Sequence, residues 1–209
     1  MTARGENAVR RRLRYRENCE LEIELSWFGL TDVGRRRETN QDSYVTLPPI
    51  FAVADGMGGH SAGEVASAAV VRRLAELGGS QSVSEADVDE VLNDAVEDIE
   101  LDTGETELGA GTTVTGVIIG TEADEPTWKV FNIGDSRVYQ YFKGALSQIT
   151  LDHSVVQLLL APGAITEEQA AKANEHIDGA VDRILDADGG GAGMGHGRLR
   201  ERLQERFGN

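Results

Sequence analysis

The most informative stretch of this sequence is Ile50-Phe51-Ala52-Val53-Ala54-Asp55-Gly56-Met57-Gly58-Gly59-His60. Its apolar start followed by Asp55-Gly56 is typical of a buried strand that breaks at a turn. A carboxylate at the end of a strand, followed by glycines that let a ligand approach the backbone, is suited to holding a hard cation. The glycines do not fit a dinucleotide site, because G-x-G-x-x-G counted from Gly56 requires glycine where Ser61 stands. A tight strand–helix turn without a ligand is the alternative interpretation.

Two further polar clusters change the balance between these interpretations. Upstream lies a basic tract, Arg35-Arg36-Arg37, followed by Asn40-Gln41-Asp42-Ser43, and downstream lies Asn132-Ile133-Gly134-Asp135-Ser136-Arg137. Asp55 and Asp135 therefore follow two different predicted strands. Carboxylates bind divalent metals, and arginine binds phosphate through a bidentate fork. Together they indicate metal-assisted chemistry on a phosphate.

Apolar periodicity predicts a mixture of strands and helices along the chain. Residues 29–49 have loop composition, with Gly34 and Pro48-Pro49, and Ser61 is the predicted N-cap of the helix that follows. Strands separated by helices favour an α+β layered domain. The predicted strands are 19–25, 50–54, 112–119, 128–133, 137–142 and 145–149, and the predicted helices are 62–77, 85–107, 151–160 and 167–185.

Length and charge restrict the class of protein. The chain has 209 residues, a one-domain length, with 20 basic against 36 acidic side chains and a net charge of −16. That excess argues against nucleic acid or an anionic membrane as partner, because both would be repelled. No apolar run long enough to span a bilayer and no secretory signal is visible, and Cys19 is the single cysteine. These features predict a cytoplasmic protein.

The basic residues are unevenly distributed. Residues 1–16 carry six arginines and one glutamate, and three of the 20 basic residues in the whole chain are lysines. Few lysines and many carboxylates are expected where solubility must survive high salt, which predicts a halophilic source. We expect residues 1–18 to form a disordered basic arm, and the alternative is an arm that contacts an acidic partner or the chain's own acidic body. Residues 19–173 are expected to form the folded domain, and residues 174–209 a divergent helix, a Gly-rich linker and an Arg/Glu-rich tail.

An ordered series of motifs runs along the chain: Thr31-Asp32-Val33-Gly34, Asn40-Gln41-Asp42-Ser43, Ala54-Asp55-Gly56-Met57-Gly58-Gly59-His60, Ala62-Gly63-Glu64-Val65-Ala66-Ser67, Gly111-Thr112-Thr113, Ile133-Gly134-Asp135-Ser136-Arg137 and Leu151-Asp152-His153-Ser154. In this order and spacing the series resembles one family, the metal-dependent protein phosphatases (PPM, type 2C), in its bacterial form. The resemblance covers roughly residues 26–172 and implies a layered αββα sandwich.

The resemblance implies a role for individual residues. Asp55 would bridge two Mn²⁺ or Mg²⁺ ions, with the Gly56 carbonyl as a further ligand, and Asp135 would help hold a third ion. Arg37 would bind the substrate phosphate, and Asp42 would act beside the metals. The implied reaction is hydrolysis of phosphoserine and phosphothreonine in proteins by metal-activated water, without a covalent phosphoenzyme.

The resemblance stops at about residue 173. Family members carry two more metal-binding aspartates, in an Asp-Gly-Leu block and an Asp-Asn pair, and neither occurs in this sequence. The domain is therefore expected to be incomplete at its C-terminal end and weakly active. The alternative is a noncatalytic pseudophosphatase or a phosphoprotein-binding remnant, produced by a frameshift or truncation.

Overall fold

The computed structural model describes residues 1–14, 22–35, 37–58, 62–103, 110–122 and 125–153. The chain divides into two compact units, residues 1–138 and residues 139–209. The strands are β1 (Thr2–Gly5), β2 (Ala8–Arg14), β3 (Glu22–Trp27), β4 (Asp42–Leu47), β5 (Ile50–Gly58), β6 (Ala110–Thr112), β7 (Val114–Glu122), β8 (Glu125–Ile133), β9 (Tyr139–Phe142) and β10 (Ala145–Gln148), and the helices are α1 (Ala62–Leu74) and α2 (Glu85–Thr103), with a 3-10 turn at Ala75–Leu77.

The first unit is built on a six-stranded mixed sheet. Its strand order is β1-β4-β5-β7-β8, and β6 pairs with the far end of β5. All of these pairs are antiparallel except β1–β4, which is parallel. Strand β5 therefore lies at the centre of the sheet. One edge of β5 pairs with β4, and the other edge pairs with β7 near the start of β5 and with β6 near its end.

The core lies between one face of this sheet and the two helices. Side chains alternate along β5, so that Ile50, Ala52 and Ala54 are buried on the helical side while Val53 is exposed on the other. Helices α1 and α2 present apolar stripes at helical spacing to the same layer. The buried core residues include Val45, Ile50, Ala52, Ala54, Val70, Val71, Leu74, Val88, Val91, Ala95, Val114 and Ile118.

The opposite face of the sheet carries an aromatic cluster. The Phe51 ring lies 5.5 Å from that of Trp27 in β3 and 6.0 Å from that of Trp128 in β8. Separations in this range are favourable for edge-to-face and tilted aromatic pairs. The cluster places β3 against this face, so the β2–β3 ribbon belongs to the first unit.

The structure differs from the disordered arm predicted for residues 1–18. Residues 2–5 form β1 on the edge of the main sheet, and residues 8–14 form β2, which pairs with β3. Arg10 and Arg12 both contact Glu24, and Arg14 contacts Glu22. The arginines therefore face glutamates of the chain's own adjacent strand, and cross-strand pairs of opposite charge favour the ribbon. Residues 15–21, with Cys19, lie outside the described residues.

Three predicted boundaries within the sheet are wrong. Strand β4 occupies part of the predicted 29–49 loop, because Ser43 and Val45 alternate into the core between polar residues that read as loop. Strand β5 continues through Asp55-Gly56 to Gly58, because β6 pairs with that glycine-containing end. The predicted strand 112–119 is interrupted at Thr113, where the chain passes from β6 to β7.

The helices and the last hairpin largely follow the prediction. Helices α1 and α2 match the predicted segments at 62–77 and 85–107, although residues 104–109 and the Ser61 cap lie outside the described residues. In the second unit, β9 and β10 form an antiparallel hairpin whose turn residues Lys143 and Gly144 have φ of 49° and 82°.

The C-terminal predictions fall mainly beyond the part of the chain that the structure describes. Residues 151–153 are not helical there, and the remainder of the predicted helix 151–160, the helix 167–185 and the tail from residue 174 are outside it. No helix among the described residues is long and apolar enough to cross a membrane.

Candidate active site

The centre of the candidate site is a cross-strand pair of carboxylates. The β4–β5 register places Asp42 directly opposite Asp55. Paired residues of an antiparallel ladder project to the same face of the sheet. Both carboxylates therefore lie on the face away from the helices, at the end of the sheet where β5 leaves β4.

The charged groups near Asp55 change its pKa. Burial raises the pKa of Asp55, and the charge of Asp42, a hydrogen bond shared with Asp42 and the charge of Asp135 raise it further, while Arg37 lowers it. Like charges disfavour ionisation and an opposite charge favours it. The structure thus brings together the four side chains that the sequence assigned to the site.

Thr113 connects Asp55 with the loop that carries Asp135. The Thr113 backbone N–H donates to the Asp55 carbonyl oxygen over 2.9 Å, and the Asp55 N–H donates to Thr113 Oγ1 over 3.2 Å. Thr113 Oγ1 also lies 2.6 Å from Ser136 Oγ. Ser136 follows Asp135, so Thr113 bonds to the Asp55 backbone and to the chain neighbour of Asp135.

Local hydrogen bonds and hydrogen bonds to other parts of the chain fix the segment directly before Asp42. Asn40 Oδ1 accepts from the Asp42 N–H over 2.9 Å, and Asn40 Nδ2 donates to Thr31 Oγ1 over 2.7 Å. The fully buried Ser67 of α1 donates to the Gln41 carbonyl oxygen over 2.5 Å. These contacts hold the start of β4 against the first turns of α1, which fixes where the Asp42 backbone enters the sheet.

Gly56 lies where α1 crosses β5. A Cβ built on Gly56 would lie 2.0 Å from the Gly63 carbonyl oxygen, so the two backbones approach as closely as glycine allows. This contact explains why both positions are glycine. The proposed role of the Gly56 carbonyl as a metal ligand stays a prediction, as do the catalytic roles of Asp42, Asp55, Asp135 and Arg37.

The described carboxylates do not complete a metal site. Within the described ranges, no group of three or more His, Cys, Asp or Glu side chains is arranged closely enough to hold a metal ion. Two of the carboxylates that the family resemblance requires were already missing from the sequence. Arg36, Gly59 and His60 lie outside the described residues.

Sequence reasoning missed the residues that connect this site. Thr113 and Ser136 were recognised as members of family motifs, and neither was assigned a role. The sequence offered only a weak signal: a threonine near the start of a predicted strand and a serine directly after a candidate ligand. Their contact depends on how β6, β7 and the loop after β8 meet, which spacing along the chain does not reveal.

The family model for protein phosphatase 2C matches residues 34–161 of the chain. This match includes all five residues assigned to the site and more than half of the sequence. The chain belongs to the protein phosphatase 2C family. The α+β PPM-type fold expected from the motifs is confirmed by the solved structures of relatives described next.

The relatives of this phosphatase 2C chain include bacterial serine/threonine phosphatases. PstP of Mycobacterium tuberculosis is 35% identical over 150 residues, which are 70% of this chain and 28% of PstP. Stp of Listeria monocytogenes is 34% identical over 153 residues, covering 67% of this chain and 59% of Stp. The chain therefore spans less than two thirds of the length of these relatives.

Two solved structures of the family resemble the fold of this chain. MsPP from Mycobacterium smegmatis, determined in complex with cacodylate, has a TM-score of 0.57 and 33% identity, covering 68% of this chain and 59% of MsPP. The PstP catalytic domain, determined with two manganese ions, has a TM-score of 0.53 and 36% identity, covering 66% of this chain and 60% of that domain.

Proposed function

We propose that this chain hydrolyses phosphoserine and phosphothreonine in proteins with the help of Mn²⁺ or Mg²⁺ held at Asp55. One observation carries the proposal: Asp42 lies opposite Asp55 across β4 and β5, with Asp135 and Arg37 close enough to change the pKa of Asp55. Carboxylates next to an arginine can hold a cation and a phosphate at adjacent positions. The match to the phosphatase 2C family supports this interpretation.

The types of donor present suit a divalent cation, although the described carboxylates alone do not complete its site. Carboxylate and carbonyl oxygens are the ligands that Mg²⁺ and Mn²⁺ prefer. Burial and then the negative charges of Asp42 and Asp135 raise the pKa of Asp55, so carboxylates lie close enough to share a cation. Asp55, the Gly56 carbonyl and Asp135 would hold the two or three ions typical of the family. When bound, such ions polarise the phosphoryl group and lower the pKa of water. Since two further aspartates have no counterpart in the sequence, we expect weak affinity.

The chain's own residues orient the substrate and control protons. Arg37 presents a planar guanidinium that binds two phosphate oxygens at once and offsets their charge. Asp42 lies opposite Asp55 across the β4–β5 ladder, where its carboxylate can accept a proton released nearby. No serine or cysteine nucleophile is required, because phosphoryl transfer to water depends on positioning and electrostatics.

The setting of the reaction is proposed from composition. The single cysteine supports a reducing, cytoplasmic setting. The net charge of −16 and the scarcity of lysine support an enzyme that works in high salt. The relatives are named as serine/threonine phosphatases, which supports a phosphorylated protein as substrate. The same charge argues against nucleic acid or an anionic membrane as partner.

The experiment that tests this function is phosphate release from a phosphothreonine peptide in molar KCl with Mn²⁺. We expect slow turnover that EDTA abolishes and that Asp55→Ala reduces by at least about 100-fold, the scale of losing one key charge at such a centre. Arg37→Ala should lower kcat/KM about 10- to 100-fold, the scale of one charge-assisted hydrogen bond.

Arg35→Ala is the matched control, since it removes the same charge from an exposed position two residues away. Equal losses in Arg35→Ala and Arg37→Ala would contradict a specific phosphate-binding role for Arg37. Peptide binding without any EDTA-sensitive turnover would overturn the enzymatic proposal and favour the noncatalytic alternative.

A further inference from the structure

Thr113 lies opposite Asp55, at the break between β6 and β7. Strand β7 pairs with Ile50–Val53 of β5, and β6 pairs with Gly56–Gly58, so the Thr113 segment faces the residues between these two ladders. Here Asp55 bonds with both its backbone groups to one residue: its carbonyl accepts from the Thr113 N–H, and its N–H donates to Thr113 Oγ1. A side chain thus completes a ladder position that a backbone carbonyl would ordinarily supply.

The same hydroxyl reaches the loop after β8. Its oxygen has two lone pairs and one proton, so it can accept from the Asp55 N–H and still exchange a hydrogen bond with Ser136 Oγ, 2.6 Å away. The Thr113 methyl contacts the same loop, since a Cβ on Gly134 would lie 2.7 Å from Thr113 Cγ2. Gly134 has φ of 106°, a conformation that favours glycine and turns the chain toward Asp135.

We propose that the Thr113 hydroxyl is a positioning group that sets the separation of Asp55 and Asp135. It acts through its hydrogen bonds to the Asp55 backbone and to Ser136, while Thr113 itself touches neither metal nor substrate. The proposal rests on the proposed function, in which both aspartates hold the cation. Groups that orient metal ligands commonly change metal affinity 10- to 100-fold when they are removed.

Two variants separate the hydroxyl from the methyl. Thr113→Val keeps the shape of the side chain and removes the hydroxyl, whereas Thr113→Ser keeps the hydroxyl and removes the methyl. In calorimetric Mn²⁺ titrations of the full chain, we expect Thr113→Val to weaken binding about 10-fold or more and Thr113→Ser to stay close to wild type. The reverse order would assign the effect to packing against Gly134 and overturn the proposal.

Amide hydrogen exchange at Asp55, measured without metal, gives a second readout. We expect faster exchange in Thr113→Val, because the Asp55 N–H loses its acceptor, and unchanged exchange in Thr113→Ser. Ser136→Ala should weaken Mn²⁺ binding while the Asp55 amide remains protected, because it breaks the connection on the Asp135 side alone.

These measurements distinguish the failure of this inference from the failure of the proposed function. A wild-type chain that binds no Mn²⁺ would contradict the proposed function. Equal Mn²⁺ affinity of wild type and Thr113→Val would overturn the positioning role of Thr113. It would not contradict the proposed metal site. Unchanged exchange of the Asp55 amide in Thr113→Val would overturn the hydrogen-bonded connection, whatever the Mn²⁺ affinity of the variant.

Discussion

At the scale of single residues, the pKa of Asp55 depends on Asp42 more than on any other charged neighbour. Burial is the largest cause of its raised pKa, and the charge of Asp42 and the hydrogen bond with it come next. A second negative charge this close disfavours the ionised form of Asp55. A pair of this kind is prepared to receive a cation, because the cation removes the repulsion.

Replacing Asp42 tests this electrostatic coupling directly. In the metal-free protein, we expect Asp42→Asn to lower the pKa of Asp55 toward its ordinary value, with burial keeping it somewhat above that value. Carboxyl-carbon NMR titration measures the shift. Asp89→Asn is the control, because it removes the same charge from an exposed position on α2. A pKa of Asp55 that stays unchanged in Asp42→Asn would contradict the coupling.

At the scale of elements, α1 is held on the sheet by a contact between glycines. A Cβ on Gly63 would lie 2.8 Å from the Gly56 carbonyl carbon and 2.9 Å from the Met57 nitrogen, both of them backbone atoms. We expect Gly63→Ala to lower the free energy of unfolding by about 1–3 kcal/mol through overpacking, despite the better helix propensity of alanine. Denaturant unfolding measures this loss.

Gly120→Ala is the matched control for this contact. Its added Cβ would meet the flexible Lys129 side chain at 3.1 Å, and that side chain can move aside. A smaller loss of stability is therefore expected than for Gly63→Ala. Equal losses in the two variants would contradict the close approach of α1 and β5.

Helices α1 and α2 are joined by ion pairs that respond to acid. The Arg73 guanidinium binds Asp98 through contacts of 2.7 and 2.8 Å, and Arg72 adds one of 3.0 Å. The hydrogen bond from Arg73, followed by that from Arg72, lowers the pKa of Asp98 to about 2. Because the folded state holds this carboxylate ionised, its contribution to stability is present above the ordinary pKa near 4 and is lost as the pH falls toward 2.

The prediction is a difference between two stability profiles over that pH range. Between pH 5 and pH 2, wild type should lose more of its unfolding free energy than Asp98→Asn, which has no carboxylate to titrate at this position. Thermal or urea unfolding across the range measures both profiles. Parallel profiles would show that the Arg73–Asp98 pair does not contribute to the acid dependence.

Elements with strong periodicity were predictable from the sequence, and those that depend on register were not. The apolar runs of β5 and α1 and the acidic amphipathic pattern of α2 gave their positions to within a few residues. Strand β4 was missed, because Asp42 and Ser43 are poor strand formers whose placement follows from pairing with β5. For the same reason the sequence predicted the site residues through family motifs, while the Asp42–Asp55 pairing and the Thr113 connection required the fold.

At the scale of the whole molecule, unbalanced negative charge is the dominant feature. Acidic side chains outnumber basic ones 36 to 20, and several of the arginines already pair with glutamates in the β2–β3 ribbon. The remaining carboxylates repel one another, and salt screens that repulsion. We expect the Tm to be higher in molar KCl than in dilute buffer, despite weaker surface ion pairs. A Tm that is unchanged or lower in KCl would contradict adaptation to high salt.

The central claim is that Asp55 organises a divalent-cation site in this chain, and Mn²⁺ calorimetry in molar KCl tests it most directly. Wild type and the charge-matched control Asp89→Asn should give the same weak binding isotherm, while Asp55→Asn should lose measurable binding, since hard-cation affinity follows the charge and number of oxygen ligands. Indistinguishable isotherms for wild type and Asp55→Asn would remove Asp55 from the site and contradict the account.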